Sequence, residues 1–265
     1  DLEEPERFGR ELARGKAGDI ALMIQTSGTT GIPKLAMLTH RNFITMSRQW
    51  LETTSIGAGS NWISITPPAW IVDQMWGVGV SLAGGMTMNF PETPETVEED
   101  FREIGPSVII TSSRFWEDLA SKIRVRMDDA GRLKKTIFKM SVKAGLKVVD
   151  LESRREPIPA RLRLLRTLAS LLTFRPLLDR VGCARMVSAY TGGHPISPDV
   201  IFFFRAMGLN LKQCYGLTES GGIFQAQPDH SPKLDTVGLS LPGSEVMISE
   251  DSEVLVKSET VFKGY

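Results

Sequence analysis

The run Ile20-Ala21-Leu22-Met23-Ile24, followed closely by Thr26-Ser27-Gly28-Thr29-Thr30-Gly31-Ile32-Pro33-Lys34, constrains this 265-residue chain more than any other stretch. A short apolar run of this kind fits a strand, and the glycines and hydroxyls after it fit a loop that closes on an anion. Gly28 and Gly31 admit positive φ, so successive backbone N–H groups can converge on one point. Thr26, Ser27, Thr29 and Thr30 add hydroxyl donors, and Lys34 adds an ammonium on a flexible stem. The stretch reads as a phosphate loop. It is not a Walker A loop, which would need glycine at Pro33 and a hydroxyl residue at Leu35.

Around this loop the apolar pattern alternates between strand and helix periods. Trp62 to Thr66 reads as a strand stopped by Pro67-Pro68, Ile71 to Leu82 as a helix closed by Gly84-Gly85, and Met86 to Phe90 as a strand. Thr93-Pro94 starts a helix to Ile104, and Val108 to Ile110, Arg185 to Tyr190 and Leu209 to Cys214 read as strands, with a helix over Ser197 to Met207. Residues 4–16 form a short amphipathic helix. Thr39 caps a helix to about Ser55 whose positive end is expected beside the phosphate loop. The fold class implied is α/β: a layered, mainly parallel sheet with helices on both faces. A helical insertion spans about 113–180, and the short strands of 226–265 read as the start of a small β-barrel, which leaves 1–225 as the α/β core.

Lys and Arg number 31 and Asp and Glu number 31, so no net charge recruits nucleic acid or membrane, and no nucleic acid is expected as a partner. The cations nevertheless gather in the insertion, at Lys134, Lys135, Lys139, Lys143, Lys147, Arg154, Arg155, Arg161, Arg163 and Arg166. The favoured reading is solvated helix faces; the competing one is a patch for anionic lipid, with peripheral membrane contact, or for the phosphates of a thiol cofactor. Two cysteines, Cys183 and Cys214, provide no disulfide framework, which suits a reducing compartment and makes the cytoplasm the expected location. The acidic start Asp1-Leu2-Glu3-Glu4 has neither the basic flank nor the apolar stretch of a signal peptide.

Two further segments fall at expected strand ends, where ligands of open α/β sheets bind. In Thr191-Gly192-Gly193-His194-Pro195 the glycines let the backbone lie flat beside a planar base, with His194 either a base-edge contact or loop filler. In Tyr215-Gly216-Leu217-Thr218-Glu219-Ser220 the tyrosine offers a ring for stacking, Thr218 a hydroxyl for an α-phosphate, and Glu219 a hard oxygen ligand for Mg²⁺.

Thr26 to His40, Gly192-Gly193-His194-Pro195 and Tyr215 to Ser220 together resemble the signature segments of the adenylate-forming, or AMP-binding, superfamily. The departures are Leu35 in place of glycine and His194 in place of alanine. Pro67-Pro68-Ala69-Trp70-Ile71-Val72-Asp73-Gln74 and the basic insertion after Phe115-Trp116-Glu117 look most like the long-chain fatty acyl-CoA synthetases. The resemblance implies ATP, Mg²⁺ and coenzyme A, and a reaction in which a fatty carboxylate attacks the α-phosphate before the thiol displaces AMP. It places the β- and γ-phosphates on Thr26, Ser27, Gly28, Thr29, Thr30, Gly31 and Lys34, and the adenine on Gly192, Gly193, His194, Tyr215 and Gly216. Thr218 and Glu219 become the catalytic pair, with Glu219 also the metal ligand. Trp70 would line the acyl pocket, against the alternative of a core tryptophan, and Met75, Trp76 and Phe202 to Phe204 would form apolar walls. The resemblance further implies a preceding portion, a ribose-binding aspartate, a hinge and a mobile domain with a catalytic lysine, so the chain is expected to be a fragment, inactive alone. A non-catalytic nucleotide- or acyl-binding module, or a ligase for aryl or amino acids, are the alternatives.

Overall fold

The structure, a computed structural model, describes residues 6–26, 32–229 and 233–265. The chain opens with α1 (Arg7–Arg14), β1 (Ile20–Thr26), β2 (Lys34–Thr39), α2 (His40–Thr53) and β3 (Asn61–Ile63). One continuous helical run follows, made of α3 (Ile71–Asp73), a π-helix (Gln74–Val80) and α4 (Ser81–Gly84), and Gly85 ends it in the left-handed conformation. Next come β4 (Thr87–Asn89), α5 (Val97–Ile104) and β5 (Val108–Ser112). The insertion consists of α6 (Ser113–Asp128), α7 (Arg132–Ser153), α8 (Ala160–Ala169), a second π segment (Ser170–Phe174) and α9 (Arg175–Arg180). After it lie β6 (Ser188–Gly192), α10 (Pro198–Ala206), β7 (Leu211–Leu217), a 3-10 turn (Thr218–Ser220), β8 (Gly222–Ala226), β9 (Leu239–Ser240), β10 (Glu245–Ile248) and β11 (Val254–Lys257).

The central sheet is mixed, in the order β5-β6-β7-β8-β9. β5, β6 and β7 are parallel, with Val108 opposite Ser188 and Ala189 opposite Leu211, and β8 and β9 run antiparallel. The parallel pair β3–β4 abuts β5, because Ser107 N donates to the Asn61 carbonyl and Asn61 N to Ser107 Oγ. Two aromatic groups fill the core beside the sheet. Trp50 meets Trp76 and Tyr190 edge-on at centroid distances of 4.9 and 5.0 Å, and Trp116 packs on Phe204 at 5.2 Å. Trp116 also donates its indole N–H to the Tyr190 carbonyl, so α6 is tied to β6 by a polar contact as well as by burial. The α/β layering and the helical insertion are as expected, and β10–β11 form a separate antiparallel hairpin.

Residues 34–39, expected as an extension of the loop, are instead a strand that pairs antiparallel with β1, Thr26 opposite Lys34 and Ile20 opposite Thr39. This overturns the expected dipole contribution. Thr39 does cap α2, its Oγ1 accepting from Asn42 N at 3.2 Å while Asn42 Oδ1 accepts from Thr39 N at 2.8 Å. The cap, however, sits at the far end of a strand rising about 3.4 Å per residue, so the positive end of α2 lies well away from Lys34. α5 starts at Val97 rather than at Pro94, because Thr96 takes over the bonding at that end: its Oγ1 donates to Asp100 at 2.6 Å. β7 extends through Leu217, so Tyr215 and Gly216 are strand residues rather than part of the turn beyond it.

Candidate active site

The carboxyl ends of β5, β6 and β7 open onto a cleft of about 820 Å³, closed on its other sides by the β1–β2 hairpin and by residues 69–72. Thr26, Lys34, Trp70, Gly192, Gly193, His194, Gly216, Thr218 and Glu219 all border it. Three segments far apart in sequence thus converge as the strand-end reading requires. Ser27, Gly28, Thr29, Thr30 and Gly31 lie outside the described residues.

Each wall has a local cause. Gly193 sits at φ +82°, a conformation that side chains rarely adopt, where the chain leaves β6. Gly216 faces the Gly222 carbonyl so closely that any Cβ there would overlap it, which is why the hairpin β7–β8 can fold tightly over the cleft. Between these strands Phe224 is the extra residue of a bulge, since Tyr215 pairs with Gln225 and Gly216 with Ile223. Ser220 locks the turn that carries Thr218 and Glu219, its Oγ accepting from Leu217 N at 3.1 Å and donating to the Gly222 carbonyl at 2.8 Å.

The Glu219 carboxylate accepts a hydrogen bond from the Tyr265 hydroxyl at 2.8 Å, and Lys34 Nζ stands 4.7 Å from the centre of the same ring. The hydrogen bond to Glu219, with some help from burial, raises the Tyr265 phenol above its ordinary pKa. Residues 262–265 are fastened on both sides: Phe262 N donates to the Glu219 carbonyl, Lys263 N to the Met37 carbonyl, and Met37 N to Gly264 O. Tyr265 therefore joins the acid and the ammonium of the cleft, a role that no local motif announced. Thr26 Oγ1 is buried with no hydrogen-bond partner among the described residues. An orphaned hydroxyl on the wall next to Lys34 is what a phosphate oxygen would satisfy, and a carboxylate at Glu219 is chemically suited to Mg²⁺. The residues present fit a metal–nucleotide.

Trp70 is not a core tryptophan. Trp50, Trp62, Trp76 and Trp116 are fully buried, whereas Trp70 is 41% exposed and borders the cleft. Its position is set by Asp73, which is buried and accepts from Ser64 Oγ and Thr66 Oγ1 at 2.9 Å each, pinning the start of α3 to the end of β3. Met75, Trp76, Phe203 and Phe204 belong to the core, and Phe202 faces a groove beside α7; they do not wall the cleft. Tyr215 likewise departs from its expected place. Strand alternation sends Cys214 and Gly216 to the cleft, while the Tyr215 ring packs edge-on to Phe224 at 5.1 Å. Cys214 does border the cleft, but burial pushes its thiol far up and it donates to the Thr191 carbonyl, so it is not a nucleophile at neutral pH.

Comparison with known proteins agrees with this geometry. Residues 2–265 match the family model described as AMP-binding enzyme. A putative fatty-acid–CoA ligase, fadD11, of Mycobacterium tuberculosis is 30% identical over 253 residues, covering 93% of this chain and 43% of that protein. The long-chain-fatty-acid–CoA ligase FadD15 of Mycobacterium bovis is 26% identical over 267 residues, covering 99% of this chain and 43% of its own length. The chain thus spans about two fifths of the curated relatives it matches. Among solved structures, the O-succinylbenzoate coenzyme A synthetase of Bacillus subtilis in complex with ATP and magnesium superposes with a TM-score of 0.62 at 18% identity, over 95% of this chain and 44% of that one. The inhibitor-bound N-terminal domain of FACL13 from Mycobacterium tuberculosis gives 0.63 at 16% identity, over 94% of this chain and 52% of that one. These likenesses show the fold.

Proposed function

Since this chain belongs to the AMP-binding enzyme family, we propose that it is the nucleotide-binding core of an AMP-forming fatty acid–CoA ligase. The overall reaction converts fatty acid, ATP and coenzyme A to acyl-CoA, AMP and pyrophosphate. The observation that carries this reading is the single cleft shared by Thr26, Lys34, Gly192, Gly193, Thr218 and Glu219.

In this reading Thr26, Lys34 and the loop between them hold the β- and γ-phosphates, and Thr218 donates to the α-phosphate. Glu219 holds Mg²⁺, which when bound neutralises charge on the phosphates. The backbone at Gly192, Gly193 and Gly216, with His194 beside it, takes the adenine, and Trp70 offers an apolar wall to the acyl chain. The carboxylate of the acid attacks the α-phosphorus, the bond to the β-phosphate oxygen breaks and pyrophosphate leaves an acyl-adenylate, and the chain's task is to hold the two reactants in line and to meet developing charge with fixed donors. Both curated relatives named above are named as fatty-acid–CoA ligases, whereas the solved neighbour from Bacillus subtilis is named for an aryl acid, so acid choice is the point to test. Pyrophosphate release by the natural-length protein, measured with a series of fatty acids and with aromatic acids, is expected to favour long fatty acids. Glu219→Gln, which keeps the size but removes the charge, is expected to slow it by roughly 10²–10³-fold. Preference for an aromatic acid would overturn the fatty-acid assignment, and an undiminished rate in Glu219→Gln would remove Glu219 from the metal role.

A further inference from the structure

Gly145 sets how α7 crosses α10. Any side chain there would overlap the Ala206 carbonyl, so the two backbones touch at that point. Toward the start of α10 rings hold the helices apart, Phe138 standing edge-on to Phe203 at 6.4 Å. α6 borders the gap through Arg124, whose guanidinium lies 4.7 Å from the centre of the Phe203 ring. The three helices leave between them a groove of about 780 Å³.

Two rows of α7 side chains run along this groove at the same four-residue spacing. Phe138, Val142 and Leu146 make an apolar row, joined by Phe202 from α10, and Lys139, Lys143 and Lys147 make a cationic row beside it. With the helical rise of about 1.5 Å per residue, successive members of each row stand about 6 Å apart along the axis. Phe138 is buried, Val142 and Phe202 are half-buried and Leu146 is 38% exposed, so the apolar row is only partly covered. The three lysines enter no ion pair among the described residues. The two acids on the groove are already committed: Asp150 pairs with Arg154 at 3.0 Å, and Asp199 lies in the first turn of α10, where the helix dipole favours negative charge.

We propose that this groove takes an acidic amphipathic helix of a partner protein, the partner's apolar ridge seated on Phe138, Val142, Leu146 and Phe202 and its carboxylates facing Lys139, Lys143 and Lys147. A helix brings side chains back to the same side every three to four residues. One with Leu or Ile along one ridge and Glu or Asp along the next therefore presents both rows at the spacing that the groove offers. A small amphiphilic anion meets one lysine and leaves two without a counter-charge. Nucleic acid meets all three but leaves the apolar row wet. A second copy of this chain fits no better: the acidic helix α5 keeps Phe101 in its own core, and Glu98, Glu99 and Asp100 are engaged by Lys122, Arg102 and Thr96. The proposal stands apart from the ligase reading, since none of the groove residues borders the cleft.

The test is fluorescence anisotropy of the natural-length protein with a labelled synthetic peptide of about five helical turns, carrying leucine along one ridge and glutamate along the next. Two control peptides replace every glutamate by glutamine or every leucine by alanine. Binding is expected of the first peptide alone, with a gain of helical circular dichroism in the peptide and a loss of affinity as salt is raised. The combined change Lys139→Gln, Lys143→Gln and Lys147→Gln should weaken it by roughly tenfold, at about a factor of two per partly exposed pair, and remove most of the salt dependence. Leu146→Gln should weaken it by roughly 3–6-fold, as the remaining burial of a half-exposed leucine implies, and leave the salt dependence in place. Both variants should keep the thermal midpoint. Equal binding of the glutamine peptide would deny the lysines their role, and equal binding of the alanine peptide would reduce the groove to a patch for any polyanion; either result overturns the proposal. So does a natural-length protein that binds none of the peptides, because another segment of the polypeptide would then fill the groove, or variants that bind as the unaltered protein does, because the peptide would then sit elsewhere.

Discussion

Replacing Asp229 by asparagine tests whether Lys212 is a buried cation held by one distant carboxylate. Lys212, on β7, is 1% exposed, and its ammonium donates to Ser188 Oγ and Tyr190 OH at 2.7 Å and pairs with Asp229, which is 41% exposed. Asp229→Asn keeps an oxygen for Asn210 and Lys212 but leaves the charge without its counter-ion. Stranding one member of a buried pair typically costs about 3–5 kcal/mol; the partly exposed position of Asp229 means solvent already screens some of the attraction, which reduces the expected loss to about 2–3 kcal/mol. For a chain of this size that corresponds to a fall in the thermal midpoint of roughly 5–10 °C.

The pH dependence separates this account from a loss of packing. Burial lowers the Lys212 pKa, with the bond to Asp229 opposing that effect. Removing the carboxylate lowers the native pKa further below its unfolded value, so over the interval between the two the unfolded chain binds a proton that the native protein has released. Stability then rises with pH across that interval. Urea unfolding from neutral pH to about pH 10 should show the Asp229→Asn deficit fully present at neutrality and shrinking as the native Lys212 loses its proton. Lys212→Met, which removes the charge altogether and leaves Tyr190 OH without its donor, should cost about 1–3 kcal/mol with no such narrowing. A deficit in Asp229→Asn that stays constant with pH, or no deficit, would refute the claim that Lys212 is charged in the native core.

Trp70→Ala removes an apolar side chain from the cleft wall without opening the core, so KM for long-chain acids should rise about tenfold, in line with losing part of a tryptophan's burial, while ATP affinity and the thermal midpoint hold; unfolding as the sole effect would make Trp70 a core residue. Tyr265→Phe takes the hydroxyl from Glu219 but keeps the ring under Lys34, so the Mg²⁺ concentration for half-maximal nucleotide binding should shift by roughly 3–10-fold, as loss of one charge-assisted hydrogen bond implies. Metal-free nucleotide binding should be unaffected, and a titration with Mg²⁺ that superimposes on that of the unaltered protein would show that Tyr265 does not orient the carboxylate.

The strand-end segments were legible because their chemistry is local: Gly192-Gly193, Thr218-Glu219 and Lys34 announce themselves by residue type, and the parallel strands that gather them follow from the spacing of apolar runs. β2 was hidden although Ala36 and Leu38 are buried and Leu35 is exposed, since a period-2 signal over six residues was read as the continuation of a loop. That single strand moved the capped end of α2 away from the phosphate side. Tyr215 was misplaced because its orientation depends on where β7 ends and on a bulge in β8, neither of which residue type specifies. The bond from Tyr265 to Glu219 joins positions with no pattern between them, and backbone contacts made in the fold, from Phe262 to Glu219 and between Met37 and residues 263–264, bring them together.

The helical insertion separates β5 from β6, which nevertheless pair in register from Val108 opposite Ser188 to Ser112 opposite Gly192. For the chain as it emerges and collapses, that pairing is the costly closure, because a long flexible loop must surrender its freedom before any ladder bond forms. α6 to α9 change the problem: helices form from neighbouring residues, and contacts such as Ser141 to Thr173 hold them as a compact body, so the span to be closed is shorter than its residue count suggests. Each halving of the effective loop then spares about 0.6 kcal/mol of closure entropy. The insertion is thus a compact spacer between two paired strands, and the glycine turn after β6 depends on that long-range closure for its place in the cleft.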